Sequence, residues 1–364
     1  MMAAADPAQN IVSYPLAYCL NVHDASTWSA VMRALEEHVV AVKQLVAPNQ
    51  AFPLSLHLGY QALSEAMTEP NRKIFRAWLT GNNCFLAAMN AFPYCRFQDV
   101  RVKEEVYRPN WTTPERLAYT RAALTFLAEF LPKGISGTVT TVPGGWGRNW
   151  NGPHDDVPAK ANLQRAAETC REIEAASGKV IRIAIEPEPD CVWELFDPRL
   201  DDLQPDISWC LDTCHAAVEF RALDNLDWSR IGRVQLSAAI ECDNTPAARA
   251  ALAPFAEPHY LHQTRAALEG TIIASWPDLA PALADLPKLP QQAVVRTHYH
   301  VPLTWPGSGP LRSTRDNLTP AFFQQARKVF CEVETYTYSV LPDSLRPPSL
   351  AEAIAAELQW AAAR

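Results

Sequence analysis

Four stretches of this sequence place acids or imidazoles where a β-strand would end. In VIRIAIEPEPD, Ile181, Ile183 and Ile185 alternate with Arg182, Ala184 and Glu186. A strand with that alternation turns its aliphatic face outward and Glu186 inward, and Pro187 ends its ladder. In SWCLDTCHAAVEF, Ser208, Cys210 and Asp212 share one face of an apolar run, and His215 follows after one short turn. FCEVETYTY puts Glu332, Glu334 and Tyr336 on one face. VVRTHYHVPL sets His298 and His300 two apart, hence on the same side of an extended segment.

Inward acids are rare without a cation or a charged partner. A carboxylate at a strand end suits a hard cation, and a nearby imidazole reaches the same ion or its substrate. An H-x-H pair on a strand can bring both rings to one ion. Each stretch also has a plain structural reading. Glu186 could pair with an arginine at a rim, Asp212 could cap a helix with His215 at the surface, and Glu332 and Glu334 could form an interior salt bridge with Arg182 or Arg296. His298 and His300 could line a polar substrate pocket. One divalent cation accounts for the three acids and the histidines together. Glu186, Asp212, Glu334, His298 and His300 are therefore the candidate ligands, with the deeper Glu332 as a supporting or base group. Mixed carboxylate and imidazole donors suit Mn²⁺ or Zn²⁺, with Mg²⁺ and Fe²⁺ as alternatives.

Other polar groups stand at expected strand ends: His23, His57, Asn90 and Gln235. Each reads either as a satisfied core group, the stronger reading for His57 and Asn90, or as a substrate contact. VPGGWGRN, carrying Trp146, is either an ordinary turn or a loop wrapping a substrate with its amides. Tyr260-Leu261-His262-Gln263 is either a lid or part of an inserted surface. His215, Gln235, His57, Asn90, His262 and Trp146 make up the candidate substrate-binding set.

Short apolar runs alternate with helix-period segments, which predicts repeated strand-helix units on a parallel sheet. Strands are expected at Ala17–Val22, Leu54–Leu58, Phe85–Ala91, Gly137–Val142, Val180–Glu186, Ile207–Asp212, Arg233–Leu236, Val294–Val301 and Phe330–Thr335. Helices are expected at Ser26–Val46, Arg72–Leu79, Pro114–Phe130, Ala159–Ser177, Ala247–Phe255, Pro320–Val329 and Leu350–Ala362. Thr113-Pro114-Glu115 is a start signal and Gly81 a stop signal. Nine strands for eight places, with the proline-rich stretch 258–310, predict a (β/α)8 barrel carrying an insertion around 240–310, all as one domain. An open doubly wound sheet is the alternative, but no G-x-G-x-x-G follows the first strand.

The chain has 364 residues, 48% hydrophobic and 20% charged, with a formal charge of −8. That balance supports a large core and disfavours nucleic acid as a partner, since backbone phosphates call for a basic face. Nine cysteines, an odd number without a C-x-x-C pair, fit reduced thiols and a cytoplasmic location. The start, Met1-Met2-Ala-Ala-Ala-Asp, lacks the pattern of a secretory signal, and no apolar run is long enough for a membrane span.

The order of Glu186 in IAIEPEP, Asp212 and His215 in CLDTCH, and Glu334 in VETY resembles the xylose-isomerase-like barrel superfamily. That group includes ketose epimerases, sugar isomerases and endonuclease-IV-type DNA repair enzymes. Over nearly the whole chain, FPYCRFQDVRVKEEVYRPNW, TVPGGW, EPEPDCVWE, LDTCHAAVEF, VQLSAA, YLHQ, HYHVPL and VETYTYSVLP are similar to the EboE-type metabolite traffic family. The resemblance implies a barrel whose Glu186, Asp212 and Glu334 hold a divalent metal. It also implies that Glu186 and Glu334 shuttle a proton on opposite faces of a substrate carbon, with His215 touching substrate or metal. The superfamily usually has a metal-binding histidine on the seventh strand, where RVQLSAA offers Gln235. Either the Gln235 amide oxygen ligates, or His298, His300 or His262 fills the place, or the metal is weak or absent. The implied role is a metal-dependent isomerase or epimerase of a small sugar- or cyclitol-derived metabolite, with a membrane enzyme of the same pathway as a partner. The rival readings are a non-catalytic metabolite- or partner-binding barrel and an endonuclease-IV-like nuclease.

Overall fold

The computed structural model describes residues 16–98 and 100–364. The N-terminal stretch 1–6, read above for a secretory signal, lies outside them. Seven parallel strands come first: β1 (Leu16–Cys19), β2 (Phe52–His57), β3 (Cys84–Asn90), β4 (Gly137–Thr141), β5 (Ile181–Ile185), β6 (Ile207–Asp212) and β7 (Ile231–Leu236). A second sheet follows, made of β8 (Ala238–Asp243), β9 (Thr264–Leu268), β10 (Thr271–Trp276), β11 (Val294–Val301), β12 (Gly307–Ser308) and β13 (Leu311–Ser313). Then β14 (Phe330–Val333) pairs with β7 on one side and β1 on the other, closing an eight-stranded barrel.

The barrel expected from the alternating pattern is therefore present, and its ninth candidate strand is not part of it. Val294–Val301 forms β11, in the middle of the antiparallel second sheet, whose order is β10-β9-β11-β8-β13-β12. Ile181, Ile183 and Ile185 are all buried, as the aliphatic face of β5 requires. The first expected strand is shorter than read: it stops at Cys19, and Leu20–Val22 turn into a 3₁₀ segment. That turn brings Asn21 to the site, where its Nδ2 donates to Glu334 Oε1 at 2.5 Å.

Helices lie near the expected places. Thr113 caps Pro114–Phe130 by accepting from the Arg116 N–H, and Glu69–Gly81 ends at the expected glycine. The expected Ser26–Val46 helix is divided by a π turn at Leu35–Val39. The helix expected at Ala159–Ser177 is longer than read. The observed helix starts at Pro153 and runs through Pro158, which removes a single ladder donor close to the start.

Register places Asp212, Gln235 and Glu332 at one level, since Asp212 pairs with Gln235 and Gln235 with Glu332. Arg233, two residues deeper on β7, forms a fully buried ion pair with Glu332 in the barrel interior. Arg233 also donates to the Met89 carbonyl at 2.9 Å and to Ser55 Oγ at 2.7 Å. This corrects the partner read from sequence. Arg296 instead binds Glu241 in the second sheet, at 2.8 Å. No helix among the described residues is long and apolar enough to cross a membrane.

Removing the cation of a fully buried pair leaves its partner uncompensated, at a cost of about 3–5 kcal/mol. Arg233→Met should lower unfolding free energy by about that amount in a urea titration. The double variant Arg233→Met/Glu332→Leu should recover most of the loss. Equal stability of the single variant and the parent would show that the pair does not anchor the barrel.

Candidate metal centre

Glu186 follows β5, Asp212 ends β6 and Glu334 follows β14, so three acids reach the same mouth of the barrel. The ladder carries one step past each of the two glutamate strands: Glu186 N–H donates to Thr141 O and Glu334 N–H to Leu236 O. All three acids are at most 5% exposed, and one oxygen from each lies within 4.8 Å of the others. Asp212 Oδ1 accepts from the backbone N–H of Cys214 at 2.7 Å, that of His215 at 2.9 Å, and Ser237 Oγ at 3.0 Å. Asp212 is thus the N-cap of the short helix Thr213–Val218 and still has Oδ2 to spare. Glu334 Oε1 accepts from Asn21 and, at 3.4 Å, from Asn90. Glu186 Oε2, Asp212 Oδ2 and Glu334 Oε2 are buried with no hydrogen-bond partner. Three unsatisfied carboxylate oxygens side by side are costly unless protons or a cation intervene, and the donor set suits a hard or borderline divalent ion.

His215, His298 and His300 stand beside this trio. His298 and His300 come from β11 at a stretch where its ladder with β8 is interrupted between Thr297 and Val301. Such an irregularity re-aims side chains. His298 Nε2 lies 3.1 Å from His215 Nε2 and 3.0 Å from His300 Nε2. His300 Nε2 is 4.0 Å from Asp212 Oδ2.

The remaining sequence candidates divide in two. Asn90 touches Glu334, and its Oδ1 accepts the Phe92 N–H at 3.0 Å. Gln235 is fully buried, its Oε1 accepts the Cys210 thiol at 3.0 Å, and its Nε2 has no partner. His262 has both ring nitrogens engaged, with the His298 carbonyl at 2.8 Å and Glu257 at 2.7 Å, so it braces β11. His57 is buried at the end of β2 beside Phe97, and its Nδ1 has no partner. Trp146 stacks on Tyr107 with ring centres 4.9 Å apart. Its glycine-rich loop is explained by close packing: Gly147 N–H donates to Asp190 O at 2.9 Å, and a Cβ there would sit 2.7 Å from that oxygen.

Sequence reasoning passed over Glu188. It accepts from the Tyr107 hydroxyl at 2.6 Å and from Gln263 Nε2 at 3.1 Å, and lies 3.6 Å from His298 Nδ1. The signal was present, since in EPEPD Glu188 follows Glu186 by two across a proline.

A cavity of about 320 Å³ opens on one side, lined by Glu188, Asp190, Asp212, His215, Glu219 and Arg265 among others. A smaller one of about 50 Å³ lies on the other side, against Glu186, Glu334, His298, His300, Tyr260 and Tyr336. They meet at Glu188 and His215. The larger volume is at the lower end for a small-molecule pocket.

Burial pushes the Glu186 carboxyl up to about 8, with Asp212 and Glu188 adding to the effect against His215. Burial also raises Glu334 well above the carboxylate range, helped by Glu186 and Asp212. Burial raises Asp212, yet His215, His300 and the hydrogen bond from the His215 N–H together outweigh it and leave Asp212 below its ordinary value. Burial holds His298 well down and His300 at about 4. For His215 burial is overcome by Asp212, Glu188 and Glu186, and its value rises.

A carboxyl raised on folding binds a proton that the unfolded chain has released. Its contribution to stability is complete below the ordinary 4.5 and is lost as pH rises through about 8. The buried, depressed His298 and His300 give the opposite slope below about pH 6.5, so the Glu186 contribution is read as a difference: chelator-treated parent should lose stability relative to Glu186→Gln between about pH 5 and pH 8. Urea midpoints of the two proteins across this range are the check, and a difference that stays constant or moves the other way would contradict it. Bound divalent cation should reverse the slope, because its ligands must be deprotonated.

No protein-family model and no curated protein matches the sequence. Solved structures match the fold. A xylose isomerase-like TIM barrel protein from Mycobacterium smegmatis, in complex with magnesium, aligns over 96% of this chain and 95% of its own at 12% identity, with TM-score 0.52. An IolI protein with a bound zinc atom aligns over 96% of each chain at 13% identity, with TM-score 0.49. The 3-keto-D-glucoside 4-epimerase YcjR from E. coli aligns over 96% of this chain and 100% of its own at 10% identity, with TM-score 0.44. At such identities the likeness is one of architecture, and the chain is built on the xylose-isomerase-like TIM-barrel fold.

Proposed function

We propose that this protein is a divalent-metal-dependent isomerase or epimerase acting on a small polyhydroxylated molecule. The observation that carries the reading is the trio of buried, unpartnered oxygens on Glu186, Asp212 and Glu334 at the barrel mouth. These residues would hold the ion, and the magnesium-bound M. smegmatis protein offers a barrel of the same fold. A bound cation there would supply Lewis-acid polarisation of substrate oxygens.

The chain's own groups supply the proton chemistry. Glu186 and Glu334 reach the centre from β5 and β14, which are separated in the barrel by β6 and β7. One carboxylate takes a proton from a carbon next to a carbonyl, and the other carboxyl returns one to the opposite face. The substrate's oxidation level is unchanged, and the pair exchanges roles for the reverse reaction. Asn21 and Asn90 hold Glu334 in place, and the backbone amides of the Thr213–Val218 helix hold Asp212. His215 and His300 lie close enough to orient substrate hydroxyls beside Asp212. The resemblance of its motifs to the EboE-type family favours a sugar- or cyclitol-derived metabolite as substrate.

Gln235 favours a second reading, a metabolite-binding barrel without catalysis. Its amide oxygen already accepts from the Cys210 thiol and occupies the level where the superfamily carries a ligating histidine.

Exchange of carbon-bound hydrogen in D₂O separates the two. Metal-loaded protein should exchange the proton next to the carbonyl in at least one ketose or keto-cyclitol of a panel. Glu186→Gln and Glu334→Gln should each slow that exchange by roughly 10²–10⁴-fold. Exchange unaffected by either substitution would refute the acid-base pair, and binding without exchange would favour the non-catalytic barrel.

A further inference from the structure

The two cavities border different groups. Glu186 and Glu334, the acid-base pair proposed above, stand on the smaller one, whose volume of about 50 Å³ has room for a few water-sized groups. That space suits a reacting carbon and its nearest oxygens. The remainder of a substrate then extends past Glu188 and His215 into the larger cavity of about 320 Å³, whose chemistry decides what that remainder can carry.

Arg265, 4% exposed, is the buried guanidinium of the larger cavity, and its two terminal nitrogens are already engaged. Nη2 donates to Asp190 Oδ1 and Glu219 Oε1, both at 2.8 Å, and Nη1 to the carbonyls of Thr264 and Trp276, both at 3.3 Å. An anionic ligand would have to displace one of these acids and would meet the other at close range. Asp190 gives Arg265 one oxygen, and its other, Oδ2, is buried with no hydrogen-bond partner. Asp190 also holds φ at +66°, uncommon for a residue with a Cβ, while its carbonyl accepts from Gly147 N–H at 2.9 Å. Backbone and guanidinium together fix the direction of this carboxylate.

Glu188, from the same loop, repeats the arrangement. Its side chain is 8% exposed, its Oε1 takes the hydrogen bonds of Tyr107 at 2.6 Å and Gln263 at 3.1 Å, and its Oε2 takes none from the described residues. Three carboxylates, Glu188, Asp190 and Glu219, thus stand against one guanidinium in the lining, while the exposed Glu194 and Arg221 carry opposite charges. His215 faces Asp212 within the metal-binding group. An excess of negative charge with open acceptor oxygens calls for a ligand that brings donors and positive charge. An ammonium group has three donors and no acceptor, whereas a phosphate has the reverse.

We propose that the larger cavity receives a primary ammonium group of the substrate on Glu188 and Asp190, so that the protein acts on an amino-substituted polyol and rejects phosphorylated ones. The assignment rests on reading the barrel mouth as the reacting end, but the ammonium pocket itself needs neither metal nor catalysis.

Ligand-observed NMR titrations of D-fructose, 6-amino-6-deoxy-D-fructose and D-fructose 6-phosphate test the pocket, on full-length protein at neutral pH with and without saturating Mg²⁺. In both conditions the amine should bind roughly 10–100-fold more tightly than D-fructose, as a hydrogen bond between charged groups implies, and the phosphate should bind most weakly. Glu188→Gln and Asp190→Asn should each bring the amine to within about threefold of D-fructose in the same variant. The comparison in the parent stands alone for any variant that fails to fold by circular dichroism. Equal affinity for amine and sugar, tighter binding of the phosphate, or no measurable binding of the amine overturns the ammonium pocket. An amine preference confined to Mg²⁺-free protein, or kept in both folded variants, overturns its placement on Glu188 and Asp190. Hydrogen exchange in D₂O reports separately on the acid-base pair. Amine preference without exchange sustains the pocket and removes the isomerase reading, and exchange without amine preference does the opposite.

Discussion

Burying three carboxyl groups within 4.8 Å of one another is the constraint around which this molecule is organised. Like charges so close, shielded from water, cannot all ionise without a compensating positive charge. The barrel answers in part. Arg233 neutralises a fourth acid, Glu332, from beneath, two asparagines donate to Glu334, and a helix start donates to Asp212. Each of these contacts satisfies one side of a carboxylate and leaves the other side turned inward. What remains is a pocket of uncompensated lone pairs at the mouth, where a parallel barrel collects its reactive groups.

The second sheet addresses the same deficit from above. It inserts between β7 and β14 and carries His298 and His300 on β11 to meet His215 from the barrel. His262 and Gln263, just ahead of β9, fix the backbone carbonyl and the Nδ1 proton of His298. Two of the three imidazoles therefore arrive from a sheet outside the barrel, while the seventh barrel strand has a glutamine whose oxygen is already engaged. Tyr260 and Tyr336 complete the cover, each facing the smaller cavity. The acids and two of the imidazoles belong to separate sheets, so the full site forms only when the two sheets are docked.

Asp212 shows how two readings of one residue can both hold. Its Oδ1 is an ordinary helix cap, as its position before Thr213 suggests, and its Oδ2 faces the other two acids. Capping uses one oxygen of a carboxylate, and the rigid cap aims the second. Trp146 shows the opposite case. The glycines around it resemble an anion-wrapping loop, but they serve close packing against the loop after β5, and the ring braces Tyr107 beneath Glu188.

The alternation of side chains along single strands made much of this legible in advance. A period of two decides which residues share a face, so the inward placement of Glu186, Asp212 and Glu334 and the pairing of His298 with His300 followed from local pattern alone. The barrel followed from the succession of such strands with helices. Contacts between strands distant in sequence were not legible, because register and sheet docking set them. Arg233 rather than Arg182 or Arg296 meets Glu332, Gln235 turns to Cys210, and Glu188 joins His298 across the gap between two sheets. The sequence by itself determined which groups face inward and at which strand ends. Only the tertiary structure decided which lone pairs were left without a partner, because that depends on every donor the folded chain brings within reach.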